Sequence, residues 1–153
     1  MRLCTLLLLA GCAHAAAALA TREEVGRALD DFHDAAARAD EPRYFGHFAP
    51  EGVFLGTDAT EHWDVAAFRA YSHPHFARGK AWSFRAVRRH VVVRGNLAWF
   101  DEELETANLG PARGSGVLSR RDGKWLIEQY VLSITVPNER FRAVHELLAA
   151  PPR

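Results

Sequence analysis

The chain has 153 residues, 48% apolar and 25% charged, with 19 basic against 19 acidic side chains. That length suits one domain with its own core, needing neither disulfides nor a structural metal. Zero net charge supplies no global attraction to nucleic acid or an anionic membrane, and the Arg88-Arg89 and Arg120-Arg121 pairs are too small to change that.

Met1-Arg2, the apolar run Leu3 to Ala10 and the small residues that follow have the layout of a secretory signal, too short for a stable membrane span. Leu9-Ala10-Gly11-Cys12 has the form of a bacterial lipobox, with Cys12 as the lipidated first residue; cleavage after Ala13-His14-Ala15 is the alternative. Cys4 lies in the segment to be removed, so the folded part carries no thiol for a disulfide, a nucleophile or a thiolate metal site. The expected organisation is a signal, lipobox and spacer over 1–20, one domain over 21–136, and a C-terminal helix and tail over 137–153. The expected location is the periplasm, with the membrane touched only through a lipid anchor.

Thr21-Arg22-Glu23-Glu24 reads as a capping box, and Val25, Leu29, Phe32 and Ala36 recur at helical spacing, predicting a helix over 21–39. His33 is expected to face solvent. Asp40-Glu41-Pro42 opens a short second helix with Tyr44, Phe45 and Phe48 on its apolar side. Pro50 to Gly52 reads as a turn, Val53 to Leu55 as a short strand, and 56–61 as a polar loop. Asp64 caps a helix predicted to stop at His73, before Pro74. From Trp82 the period falls to two. Strands are predicted up to Val93, from Leu97 to Ala107, from Arg113 to Arg121 and from Lys124 to Thr135, with hairpin turns at Gly95-Asn96 and Asp122-Gly123. Phe141, Val144 and Leu148 suggest a closing helix. Helices followed by an antiparallel meander give an α+β fold: a curved antiparallel sheet packed against N-terminal helices as a cone, whose open end is the natural ligand site.

Four segments then stand out in order: Phe45-x-x-Phe48-Ala49-Pro50-Glu51-Gly52-Val53-Phe54; Gly56-Thr57-Asp58-Ala59-Thr60-Glu61; Ala98-Trp99-Phe100-Asp101-Glu102; and Arg113-Gly114-Ser115-Gly116-Val117-Leu118 through Asp122-Gly123-Lys124-Trp125. Together they resemble the SnoaL-like family of the nuclear transport factor two (NTF2-like) superfamily, over roughly residues 22–135. The resemblance implies the cone-shaped fold, frequent homodimerisation through the sheet, and an apolar pocket with a few polar groups. It spans polyketide cyclases, an isomerase, a dehydratase and non-catalytic adaptors, so it does not settle activity. The cyclases' pocket aspartate acts as general acid/base, and Asp101 is its nearest counterpart here.

The Gly95-Asn96 turn fixes a register in which Arg94 flanks Leu97, Val92 opposes Trp99, His90 opposes Asp101, and Arg88 opposes Glu103. His90 and Asp101 are therefore the candidate acid/base pair on the concave face; a cross-strand ion pair on a solvated face is the plain alternative. Glu103, Trp99 and Gln129 are expected beside them, Gln129 because it shares the parity of Trp125 and Ile127. Trp63, Tyr71 and Trp82 are candidates to line an aromatic pocket, and Asp58 either meets a ligand or caps its own turn. No metal and no cofactor is expected; His73-Pro74-His75 is poorly placed for one. Three readings stay open: an exported pocket domain binding a small, partly apolar molecule as a homodimer; a cyclase, isomerase or dehydratase using Asp101 and His90; and a protein-interaction module.

Overall fold

The computed structural model describes residues 4–150, with side chains from Leu19 onward. Helix α1 (Cys4–Ala37) is followed by α2 (Glu41–Phe45), β1 (Phe48–Leu55), β2 (His62–Asp64), α3 (Val65–Ala77), β3 (Phe84–Arg94), β4 (Leu97–Thr106), β5 (Gly110–Arg121), β6 (Lys124–Ile134) and the C-terminal α4 (Phe141–Ala149). The strands form one sheet in the order β2-β1-β6-β5-β4-β3, antiparallel throughout except where β1 lies parallel to β6. The architecture is α+β, with the helices that precede β3 on one side of a curved, open sheet. No helix among the described residues is long and apolar enough to cross a membrane. The side chain of Cys12 and its expected lipidation lie outside the described side chains.

Several boundaries depart from expectation, each for a local reason. Thr21 lies within α1 and does not open it, because the alanine-rich stretch before it favours helix. The Pro50–Gly52 turn is instead an irregularity inside β1, where the pairing with β6 shifts register between Phe48 and Val53. Pro74 does not end α3. Phe68, Ser72 and Phe76 share one buried face, and burying Phe76 in the aromatic core offsets the hydrogen bond the proline removes. β2 is a short edge strand with no clear period of its own.

The core is aromatic. Phe32 stacks on Tyr44 at 4.4 Å, Phe54 lies on Phe68 at 4.0 Å, and Tyr130 is almost parallel to Phe54 at 5.6 Å. Val25, Leu29, Phe32 and Ala36 supply the buried stripe of α1, and His33 joins it. His33 follows Leu29 by four residues, so it shares that stripe and is buried instead of solvent-facing.

The β3–β4 register is as derived from the turn: Arg94 pairs with Leu97, Val92 with Trp99, His90 with Asp101 and Arg88 with Glu103. The turn is built on Gly95, whose φ of 59° is easy only for glycine; Asp122 and Gly123 take the same left-handed region in the β5–β6 hairpin. The faces are the reverse of those expected. Ala98, Phe100, Glu102 and Leu104 point to the helices, while Trp99 and Asp101 point outward. The outer residues carry the polar and charged parity of both strands, and the inner parity of β4 is apolar except for Glu102.

Candidate functional site

Two polar constellations lie one residue apart along β3 and β4. On the outer face His90 Nδ1 stands 3.4 Å from Asp101 Oδ1, with both side chains more than half exposed, and Arg88 pairs with Glu103 beside them. Both side chains face solvent, so the expected place of this pair in a concave pocket is corrected: it is a cross-strand contact on an open sheet face. Trp99 shares that face, 40% exposed, with the Arg94 guanidinium over its ring. Gln129 is corrected in the same sense. Leu118 pairs with Ile127 but Val117 pairs with Gln129, so Glu128 is an extra residue. The bulge inverts the parity of β6: Trp125 and Ile127 point inward before it, Tyr130 and Leu132 after it, and Gln129 outward. Glu103 lines a shallow groove on the outer face with Val87, Pro111, Arg113 and Thr135.

The inner constellation is buried. Glu102, with no exposed surface, accepts a hydrogen bond at Oε1 from the Tyr130 hydroxyl at 3.0 Å and lies 2.7 Å from His33 Nε2. Its Oε2 accepts from Arg89 Nε at 2.7 Å, while Arg89 Nη1 reaches Asp30 at 2.8 Å and the Gly26 carbonyl at 3.0 Å. Burial alone would push the Glu102 carboxyl up; the His33 contact and the Arg89 charge outweigh it and hold the group below its ordinary value. Burial, then the neighbouring carboxylate, pushes the Tyr130 hydroxyl well up, so it stays a donor. Gly114, opposite Glu102 on β5, leaves the space this needs: a β-carbon there would overlap the Tyr130 hydroxyl and lie 2.8 Å from Glu102 Oε1. The network ties α1 to β3, β4 and β6.

The cavity lies elsewhere, at the open end of the cone. A half-open cavity of about 660 Å³ lies between the β1–β2 loop, α3, the approach to β3 and the β4–β5 turn. Phe54, Trp63, Phe68, Tyr71, Trp82, Phe84, Leu109 and Leu132 form its apolar walls; Thr57, Glu61, His75, Lys80, Ser83, Thr106 and Asn108 are the polar groups. The volume suits a small organic ligand. Trp63 is held between neighbours, stacked on Tyr71 at 4.5 Å and on Phe68 at 5.5 Å, and Trp82 packs edge-on against Tyr44 at 5.4 Å. Thus Trp63, Tyr71 and Trp82 line one cavity, whereas Trp99, Glu103 and Gln129 stand apart from it. Asp58 is on the loop bordering the cavity but turns inward on that loop, its Oδ1 accepting from the Thr60 backbone N–H at 2.8 Å and the Thr60 hydroxyl at 2.6 Å. His73 bonds Glu41 at 2.8 Å, and no group of three or more metal-ligating side chains converges among the described residues.

The family model of the SnoaL-like domain matches residues 25–137. The chain belongs to the SnoaL-like family. No curated protein matches it. Solved structures share its fold. An NTF2-like protein of unknown function from Pseudomonas putida aligns with TM-score 0.67 at 16% identity, over 79% of this chain and 91% of its own. A suspected dehydratase of the NTF2-like family from Streptomyces avermitilis aligns with TM-score 0.66 at 16% identity, over 77% and 98%. A suspected calcium/calmodulin-dependent protein kinase II association domain from Xanthomonas campestris aligns with TM-score 0.58 at 24% identity, over 73% and 86%. These likenesses establish the fold, and the proteins concerned range from a suspected enzyme to a suspected association domain, so activity rests on this chain's own site.

In this SnoaL-like domain the residues nearest to acid/base chemistry are His33 and Glu102, which the sequence reading passed over. The signal was present: a glutamate in the apolar parity of β4, an arginine in the Val91/Val93 parity of β3, and a histidine in the apolar stripe of α1. An arginine and a glutamate facing each other on an inner sheet face point to a buried pair. His33 touches Phe84, a wall of the cavity, at 6.2 Å between rings, yet neither His33 nor Glu102 lines that cavity.

Proposed function

We propose that this SnoaL-like domain binds a small, partly apolar molecule in the cavity at the mouth of the cone, without using the His90–Asp101 pair. The observation that carries the reading is the cavity itself: about 660 Å³, walled by aromatic rings already fixed by mutual stacking, with polar side chains among them. The buried glutamate supports it in the negative, because both its oxygens are engaged within the protein and it does not border the cavity. A neutral fluorescent probe, N-phenyl-1-naphthylamine, tests the site. It should bind the native chain and lose at least about tenfold in affinity when Ala107→Trp fills the mouth, with the melting temperature unchanged, since Ala107 is an exposed cavity-lining turn residue. Equal binding by both proteins would remove the cavity as the site.

Two further parts of the reading concern setting. The Leu9-Ala10-Gly11-Cys12 motif supports export and lipid anchoring; Cys12→Ser should leave an unprocessed or soluble form, and equal solubility of both versions would count against anchoring. The outer sheet face, with Val87, Val92, Leu97 and Trp99 each more than a third exposed, supports a homodimer packed through it. Sedimentation as a monomer at tens of micromolar would oppose that.

A further inference from the structure

The cavity rim carries charge of both signs, and only one sign is engaged. On the β1–β2 loop, Glu61 Oε2 accepts from the Asp58 backbone N–H at 3.2 Å, and its side chain folds over Gly56, where a β-carbon would lie 2.8 Å from its carboxyl carbon. Asp58 is likewise occupied by Thr60. The acidic lip is thus turned into its own loop.

The opposite lip follows α3. Gly79, at φ 69°, reverses the chain directly after the helix, and the Lys80 backbone N–H closes on the His75 carbonyl at 3.3 Å. That reversal places Lys80 on the rim beside Trp82. Among the described residues no carboxylate comes within 4 Å of the Lys80 ammonium, and Arg78 just before it has none either, reaching only His75 Nδ1 at 3.2 Å. The ammonium has three donors and no acceptor of its own. An aromatic cavity with a free cation at its edge suits a molecule with an apolar body and one anionic group.

We propose that the cavity selects apolar molecules bearing a carboxylate or comparable anionic group, held at the rim by Lys80 while the body lies against Trp63, Tyr71 and Trp82. This rests on the cavity reading above. It extends that reading by assigning the charge of the ligand and the residue that reads it.

Two probes sharing one aromatic body separate the parts: neutral N-phenyl-1-naphthylamine and anionic 1-anilinonaphthalene-8-sulfonate, titrated against the native chain, Lys80→Gln, Lys80→Arg and Tyr71→Ala. Lys80 and Tyr71 are both exposed, so none of these changes disturbs the core. Lys80→Gln should weaken the sulfonate about threefold to fivefold, the scale of one solvent-exposed charge pair, and leave the neutral probe unchanged. Lys80→Arg should restore the sulfonate, and added salt should erase the difference. Tyr71→Ala should weaken both probes. If Lys80→Gln changes neither probe, or both equally, the charge assignment is overturned while the cavity stands. If Tyr71→Ala also changes neither, the probes bind elsewhere and the cavity reading falls with it.

Discussion

Glu102 and Asp101 are consecutive carboxylates on one strand, facing Arg89 and His90 of β3 respectively, yet they belong to different solvents. Glu102 points under the helices, has no exposed surface, and fills its acceptor sites with His33, Tyr130 and Arg89. Asp101 points outward, more than half exposed, with one long contact to His90. Strand alternation alone makes the difference. A register can be right residue for residue while the face, and with it the chemistry, is inverted.

The contrast predicts a wide gap in stability. Glu102→Gln leaves Arg89 with only Asp30 and a carbonyl, and should cost about 3 kcal/mol, lowering the melting temperature by roughly 10 °C. Denaturant melts of Glu102→Gln beside Asp101→Asn measure this directly; equal losses would erase the distinction between the faces.

Next in size is Gly114. Alanine there must push Tyr130 or Glu102 aside and should cost about 1–3 kcal/mol, and Tyr130→Phe about 1 kcal/mol through the lost hydrogen bond. If the network is one unit, the double variant should cost clearly less than the sum, as a thermodynamic cycle would report.

The inner face also makes stability depend on acid. The folded-state pKa of Glu102 lies below its ordinary value near 4.5, so the unfolded chain takes the proton first. The contribution is complete above about pH 4.5 and is lost as pH falls through the folded pKa. Stability followed from pH 6 to pH 3 should fall more steeply for the native chain than for Glu102→Gln; parallel curves would mean that Glu102 is not held ionised.

On the outer face the smallest effect is expected. A double-mutant cycle on His90 and Asp101 should give a coupling of about 0.5 kcal/mol or less, reduced further by salt. A coupling above about 1.5 kcal/mol would require that face to be covered, as a tight dimer would cover it.

Much of this architecture was legible. Turn chemistry at Gly95-Asn96 and Asp122-Gly123 set the hairpins and the β3–β4 register, and helical spacing marked the buried stripe of α1. Three things escaped for physical reasons. Face assignment depends on which parity the helices cover, and β3 alternates ambiguously, with Arg89 among the valines that pack inward. The bulge at Glu128 has no strong sequence mark beyond nearby Gly116 on β5, where a β-carbon would strike the Gln129 carbonyl, yet it reverses every later side chain of β6. Pro74 looked like a stop because local propensity ignores the burial of Phe76 two residues on. Of the candidate site residues, Trp63, Tyr71 and Trp82 converge because aromatic bulk at the cone mouth lines a cavity whatever the strand parity. Those chosen by parity did not.

The four tryptophans offer the most direct test, since together they report three regions. Trp63 and Trp82 line the cavity, Trp99 lies on the outer face, and Trp125 is buried at the far end of β6. Their indole N–H signals, followed by NMR while N-phenyl-1-naphthylamine is added, show where an apolar molecule binds. The account predicts that Trp63 and Trp82 shift together and saturably while Trp99 and Trp125 stay in place; a shift led by Trp99, with Trp63 and Trp82 unmoved, would contradict it and return the site to the sheet face that carries His90 and Asp101.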